Sequence, residues 1–476
     1  MPFTEFCCRS GGSNLNAGTR TGNSTEPGTA ADFTYASGNW VAATGVFTVA
    51  SGNPSTDGVA VGDFASVYAD GSTVTGFVGR VTARDTTTIT VSLTAKSGTA
   101  PTDGTGNRTL RIGGAWLGPN GTSGFPMNFV TNTLTNASGE FPRVNYKSDQ
   151  TMSITANIST VNADTRHQGY ATAYNDLGKA ILRGPTTGAS FILIGSTIGI
   201  NASLVDFDCA QNGATGTSAG VFWNSSGQVL RSVIHDVRGH GFQSNSTTTF
   251  VECEAYACNQ SNTVNLSGFA TTAAAGFVRC ISHDNSGSNA NGFYPTGNGT
   301  VFVGCIADSN GARGFMLDSN ASGVRLINCD AYNNTSDGIR ISASANVNVY
   351  LENCNILKNG AWGISTAGTA TKIANLMNCG FGAGTQTNTS GNITGVAVLE
   401  ETGTITYAND VTPWVDPVNG DFRINLAAAK NAGRGTYTQT AASYSGTVGY
   451  PDIGAAQAQA TGGGARQVNI RGGADQ

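Results

Sequence analysis

The chain has 476 residues, length enough for about three ordinary domains, with 65 Gly and only 12% charged residues. Average proteins carry roughly 7% Gly and about a quarter charged residues, so this composition favours many turns and few charges. A net charge of -5 without a Lys/Arg cluster argues against a nucleic-acid surface, and no apolar run reaches the length of a membrane span. The opening Met1-Pro2-Phe3-Thr4-Glu5-Phe6-Cys7-Cys8-Arg9 lacks the basic start and apolar core of a signal peptide. No phosphate loop, nucleophile elbow or Cys/His metal spacing is present, so no cofactor is expected. Surface acids leave room for a bound calcium.

Residues 1–31 form a polar N-terminal segment rich in Gly, Asn and Thr. Residues 32–112 read as a small all-β module for attachment or capping. Its expected strands are Trp40-Val41, Val46 to Val49, Val59-Ala60-Val61, Phe64 to Tyr68, Phe77 to Val81 and Thr88 to Val91, with turns at Asp70-Gly71 and Arg84-Asp85. From 113 to 202 irregular coils are expected, with Trp116 to Asn120 and Phe125 to Phe129 covering the first open edge.

The stretch 203–400 is periodic. Cysteines recur at 253, 280, 305, 329, 354 and 379, at spacings of 27, 25, 24, 25 and 25. A Gly followed by a large apolar residue keeps the same phase at Phe242, Phe269, Phe293, Phe315, Ile339 and Ile364, and Asn285, Asn310, Asn334 and Asn359 follow their cysteines by five. Between these markers lie short β-prone runs broken by Gly, Asn, Ser and Asp, with no helical periodicity. Repeats of this length mark a solenoid. Three short strands and three turns per unit give one coil of a parallel β-helix, so the chain is expected to be all-β. Stacked coils lie about 4.8 Å apart, so like sits on like: cysteine and Phe/Ile columns inside, an amide ladder at one turn. Most of the ten cysteines then read as buried free thiols, which places folding in a reducing cytoplasm. A closing segment at 401–456 and a flexible tail at 457–476 complete the chain.

Several phrases resemble right-handed β-helix proteins, the superfamily of pectate-lyase-like enzymes, phage tailspikes and surface β-helix proteins. They are Gly11 to Thr19, Gly169-Tyr170 through Ala180-Ile181-Leu182, and the closing phrases Asp416 to Ile424 and Pro451 to Ala455. The resemblance implies a right-handed, single-stranded parallel β-helix with the small N-terminal β module ahead of it. It is specific for fold and weak for activity. Gly239-His240-Gly241 matches a polygalacturonase motif, but the chain has no Asp-Asp or Asn-Thr-Asp, and Arg340-Ile341-Ser342 stands in place of Arg-Ile-Lys.

If the cysteines point inward, the residues three further on face solvent. That rule lines up His235, Tyr256, His283, Asp308 and Tyr332 as an exposed row about 20 Å long, suited to stacking on sugar rings and accepting hydroxyl protons. Asp284 and Asp308 on neighbouring coils are the candidate catalytic pair, since glycoside hydrolysis needs two carboxylates about 5 Å apart or roughly 6.5–9.5 Å apart. Arg313, Asp318, Asp337 and Arg340 lie beside them. Three functional readings stay open. The first, without catalysis, is a virion protein of tailspike, tail-fibre or capsid-decoration type, a homotrimer assembled in the host cytoplasm with other virion proteins and binding host polysaccharide. The second is an extracellular polysaccharide lyase or glycoside hydrolase. The third is a cell-surface adhesin or filament subunit.

Overall fold

A computed structural model describes residues 4–426 with interruptions, the longest at 118–141, 185–192, 210–219 and 383–390. The expected edge cover at Phe125 to Phe129, the closing phrase at Pro451 to Ala455 and the tail at 457–476 lie outside the described residues. The chain divides into two compact units, 1–235 and 236–476. No helix of the described residues is long and apolar enough to cross a membrane.

In the first unit the solenoid begins earlier than the sequence implies. Thr4–Cys8 pairs in parallel with Pro142–Lys147, which pairs in turn with Arg166–Tyr170. The opening segment taken as polar therefore holds a core strand, because Phe6, Cys7 and Cys8 are fully buried. The small β module is an insertion between Thr4–Cys8 and its partner strand. It is a closed antiparallel barrel running Phe33–Val41, Val46–Thr48, Thr88–Gly98, Phe77–Arg84, Phe64–Ala69 and Gly104–Ile112. Trp40, Phe47, Phe77, Val91, Leu110 and Ile112 fill its interior. Val59-Ala60-Val61 is not a strand: Val59 packs inward, but Val61 is exposed and the chain turns at Gly62 (φ 95°).

Trp116 joins barrel and coil. Its ring stacks on Phe6 at 5.3 Å, Phe6 meets Phe64 of the barrel edge-on at 5.1 Å, and Trp116 Nε1 donates to the Asn16 carbonyl at 2.9 Å. Gly18, at φ 84°, lies against this indole so closely that a Cβ would stand 2.5 Å from the ring.

The second unit is the regular stack. One coil runs Val301–Val303, Ile306–Asp308, Phe315–Asp318, and each strand pairs in parallel with its counterpart on the next coil. Phe242, Phe269, Phe293 and Phe315 stack at 5.0–5.4 Å between centroids. A second phenylalanine column, Phe250, Phe277 and Phe302, meets the first edge-to-face. All six cysteines of the period are buried, and none is in a disulfide. Burial pushes thiols such as Cys329 and Cys354 well above their ordinary pKa, so they stay protonated, and Cys329 donates to the Ile327 carbonyl at 3.4 Å. The amide ladder forms as expected, Asn285 to Asn310 at 2.6 Å, Asn310 to Asn334 at 2.8 Å and Asn334 to Asn359 at 2.9 Å.

One local rule shapes each coil and was not read from the sequence. The residue before each cysteine is left-handed, as at Glu252, Arg279, Asn328, Asn353 and Asn378 (φ 50–55°), and so is the residue four after, as at Asp284, Ser309, Asn333 and Lys358 (φ 48–54°). A non-glycine residue there costs roughly 1–2 kcal/mol. These two single-residue corners bend the chain from one sheet to the next, and Asn tolerates the conformation best.

Candidate functional site

The expected row exists as a register, but only His235 and Tyr256 are partly exposed in it, and His283, Asp308 and Tyr332 are buried. Tyr256, His283, Asp308, Tyr332 and Leu357 pair one above another on successive coils. Yet His283 is 8% exposed, Asp308 2%, Tyr332 4% and Leu357 0%. The closing segment covers the lower part. Trp414–Asp416 and Asp421–Ile424 form a two-stranded antiparallel ribbon whose apolar side packs on this column. Trp414 meets Tyr332 edge-on at 5.1 Å, Phe422 meets it at 5.9 Å, and Ile306, Leu357, Tyr407 and Ile424 complete a second small core. Side-chain alternation gave the facing correctly. It could not report that another segment returns to cover that face.

The candidate carboxylate pair changes accordingly. Asp284 is exposed, while Asp308 is buried and accepts a hydrogen bond from Ser309 Oγ at 2.9 Å. Such a pair is not open to a polymer. Instead, Asp284 Oδ2 lies 2.8 Å from His283 Nδ1, and Glu254 Oε1 lies 2.9 Å from His283 Nε2. Burial lowers the imidazole pKa, but the two carboxylates outweigh it and raise the ring to about 9. The sequence reading missed Glu254. His283 also stacks on Tyr256 at 5.2 Å. In the first unit His235 sits in register with Asp208 and 3.2 Å from Asp206. Arg183 Nε already donates to Asp208 at 2.7 Å, so that acid is engaged by a protein cation.

His240, from the polygalacturonase-like triplet, is a structural residue. Its Nδ1 accepts from the Ser267 amide at 3.2 Å, and desolvation pushes its pKa down to about 4. Asp318 accepts from the Tyr294 hydroxyl. Asp337 is buried between Arg340 Nη1 at 3.2 Å and Arg313 Nε at 3.8 Å.

The open site lies on another face. Val324–Ile327, Val347–Glu352 and Lys372–Met377 are neighbouring parallel strands, and a cleft of about 250 Å³ is lined by Arg325, Ile327, Tyr350, Glu352 and Met377. Tyr350 is 38% exposed and stands in register with Arg325, while Glu352 is buried beside it. With Glu352 only 2% exposed, the open groups are the Tyr350 ring and the Arg325 guanidinium above an apolar floor, a polar-aromatic surface suited to a sugar ring. The signal for it was the alternation of Val347-Asn348-Val349-Tyr350-Leu351-Glu352, in which the polar and aromatic residues occupy every second position.

Comparison with known proteins agrees with the coil stack. Residues 219–411, less than half of the chain, match the family model described as Right handed beta helix region. No curated protein matches. Among solved structures, ORF18 of Geobacillus virus E2 is similar at 14% identity and a TM-score of 0.40, over 58% of this chain and 56% of that one, so the chain spans little more than half of the viral protein. The mannuronan C-5 epimerase AlgE4 A-module of Azotobacter vinelandii is similar at 13% identity and 0.42, over 58% of this chain and 91% of that one. Pectate lyase Pel9A is similar at 16% identity and 0.43, over 72% of this chain and 94% of that one. At that level none of them speaks to activity. The parallel pairing makes the stack a parallel β-helix, and its residues 219–411 match the right-handed family model.

Proposed function

We propose that the protein is a non-catalytic, polysaccharide-binding protein of a virus particle, of tailspike, tail-fibre or capsid-decoration type, working as a homotrimer with other virion proteins. The observation that carries the binding part is the open Arg325–Tyr350 cleft, set against the burial of Asp308 in the expected catalytic pair. Ten buried thiols, none in a disulfide, favour assembly in a reducing host cytoplasm. The barrel inserted into the first coil supplies a non-repeating head suited to attachment. A glycan array with the full chain tests the binding reading, followed by assay of each bound glycan for new reducing ends or unsaturated sugars. Binding without cleavage supports it; absence of any hit sinks it. Mass spectrometry of virions from the source virus tests the location.

A second reading, polysaccharide lyase or glycoside hydrolase acting outside the cell, is favoured by one arrangement. Glu254, His283 and Asp284 place two carboxylates on one imidazole, with Asp284 exposed. Cleavage lost in Asp284→Asn would move the assignment there.

A further inference from the structure

The turn that follows the amide ladder carries a column of residues, each just before the repeat-phase glycine. Asn291, Arg313, Asp337 and Trp362 occupy it on successive coils, as the backbone bonds Gly292 N to Arg313 O, Gly314 N to Asp337 O and Gly338 N to Trp362 O establish. Three of these four carry polar side chains, and their mutual satisfaction is incomplete. Asn291 is fully buried, yet neither its Oδ1 nor its Nδ2 has a hydrogen-bond partner among the described residues. Arg313 has a side chain only 19% exposed, and its Nε is buried without an acceptor, 3.8 Å from Asp337 Oδ2.

The charges do not balance either. Among the described residues, Asp337 is the one carboxylate in ion-pair range of both Arg313 and Arg340. Its Oδ2 accepts from Arg340 Nη1 at 3.2 Å and its Oδ1 from the Trp362 amide at 3.2 Å, while Arg313 Nε, at 3.8 Å, stays outside hydrogen-bond reach of it. Two guanidiniums against one carboxylate leave an excess positive charge in a mostly covered corner. Burial and the neighbouring Arg340 together lower the Arg313 pKa, the sign of a cation short of counter-charge. A buried donor left unmade costs about 1–3 kcal/mol, more when charged.

We infer that Arg313 and Arg340, with Asn291 one coil away, form a binding site for an oxyanion, a carboxylate or sulfate group. Such a group matches the planar fork of a guanidinium with two parallel hydrogen bonds. It would give Arg313 Nε the acceptor it lacks and bring the corner to charge neutrality. The anion is either a free ion or a group carried on a glycan. The site uses residues outside the Tyr350 cleft, so it stands or falls separately from the function proposed above.

The test is thermal unfolding of the full chain titrated with sodium sulfate, with sodium acetate as the second oxyanion and sodium chloride at matched ionic strength as reference. The expected result is a saturable rise in Tm with either oxyanion and none with chloride, abolished in Arg313→Gln. Arg313→Lys, which keeps the charge but loses the fork, is expected to weaken the midpoint by about tenfold. If Arg313→Gln does not fold, Arg340→Gln at the more exposed arginine takes its place. Sulfated and carboxylated oligosaccharides binding about tenfold tighter than the free ions would mark the group as glycan-borne; equal midpoints would mark a free ion. Identical responses of wild type and variants, or a response that tracks ionic strength alone, would overturn the inference and leave water as the partner of these groups. Glycan affinity lost in Tyr350→Ala without any sulfate response would sink only this inference and spare the cleft.

Discussion

Two columns of the same coil stack, the phenylalanines of the interior and the His283-to-Leu357 row of the outer face, are both buried, for different reasons. Phe269, Phe293 and Phe315 are buried by their own coils, ring on ring at 5.0 Å. Tyr332 and Leu357 point out of the coil and are buried by a ribbon at Trp414–Asp416 and Asp421–Ile424 that arrives some coils later. A repeat determines which way a side chain points. Whether solvent lies there depends on non-repeating chain elsewhere.

The comparison is broken most severely from inside. Phe315→Asp places an unpaired charge between Phe293 and Phe302 and is expected to cost several kcal/mol, enough to abolish cooperative folding of the stack in chemical denaturation. Next comes the cover. Trp414→Ala removes a 2% exposed indole and is expected to cost about 3–5 kcal/mol. It should also open Tyr332 to nitration, whereas Phe315 variants of conserved volume should leave Tyr332 protected.

The amide ladder provides a smaller effect. Asn334→Ala leaves Asn310 Nδ2 and the Asn310 amide without the oxygen they share at 2.8 and 3.2 Å, a loss of about 1–3 kcal/mol. Unfolding of the purified variant by urea checks it.

The outer column also has a pH signature. His283 is raised to about 9 when folded from an ordinary 6.5, so its contribution is fully present below 6.5 and is lost as pH rises through 9. The shift corresponds to a few kcal/mol at most, by the usual roughly 1.4 kcal/mol per unit. His240 works in the opposite direction: lowered to about 4, it stays neutral in the fold, and stability is lost as pH falls from 6.5 toward 4. In His283→Gln the decline in Tm between pH 7 and 10 should flatten while the acid side is unchanged; an unchanged alkaline limb would remove His283 from the account.

The sequence carried the interior of this protein and its fold because register in a coil stack follows from a local period. Cys305, Phe315 and Asn310 each repeat at a spacing that can be counted. It did not carry the first strand, because Thr4–Cys8 finds its partner at Pro142–Lys147 only after the barrel intervenes, and a pairing across such an insertion leaves no periodic trace. Nor did it carry the exposure of the candidate site. Tyr332 and Tyr350 are both tyrosines at outward positions, and only the ribbon at Trp414 separates the covered one from the open one.

The most direct measurement is therefore glycan affinity of two full-length variants, Tyr350→Ala and Tyr332→Phe, against the same glycan. The account predicts that Tyr350→Ala loses about 1–2 kcal/mol of binding, roughly 5- to 30-fold, as for other aromatic contacts, while Tyr332→Phe binds like wild type. Affinity lost in Tyr332→Phe and retained in Tyr350→Ala would contradict it, and would mean that the ribbon lifts to expose the column beneath.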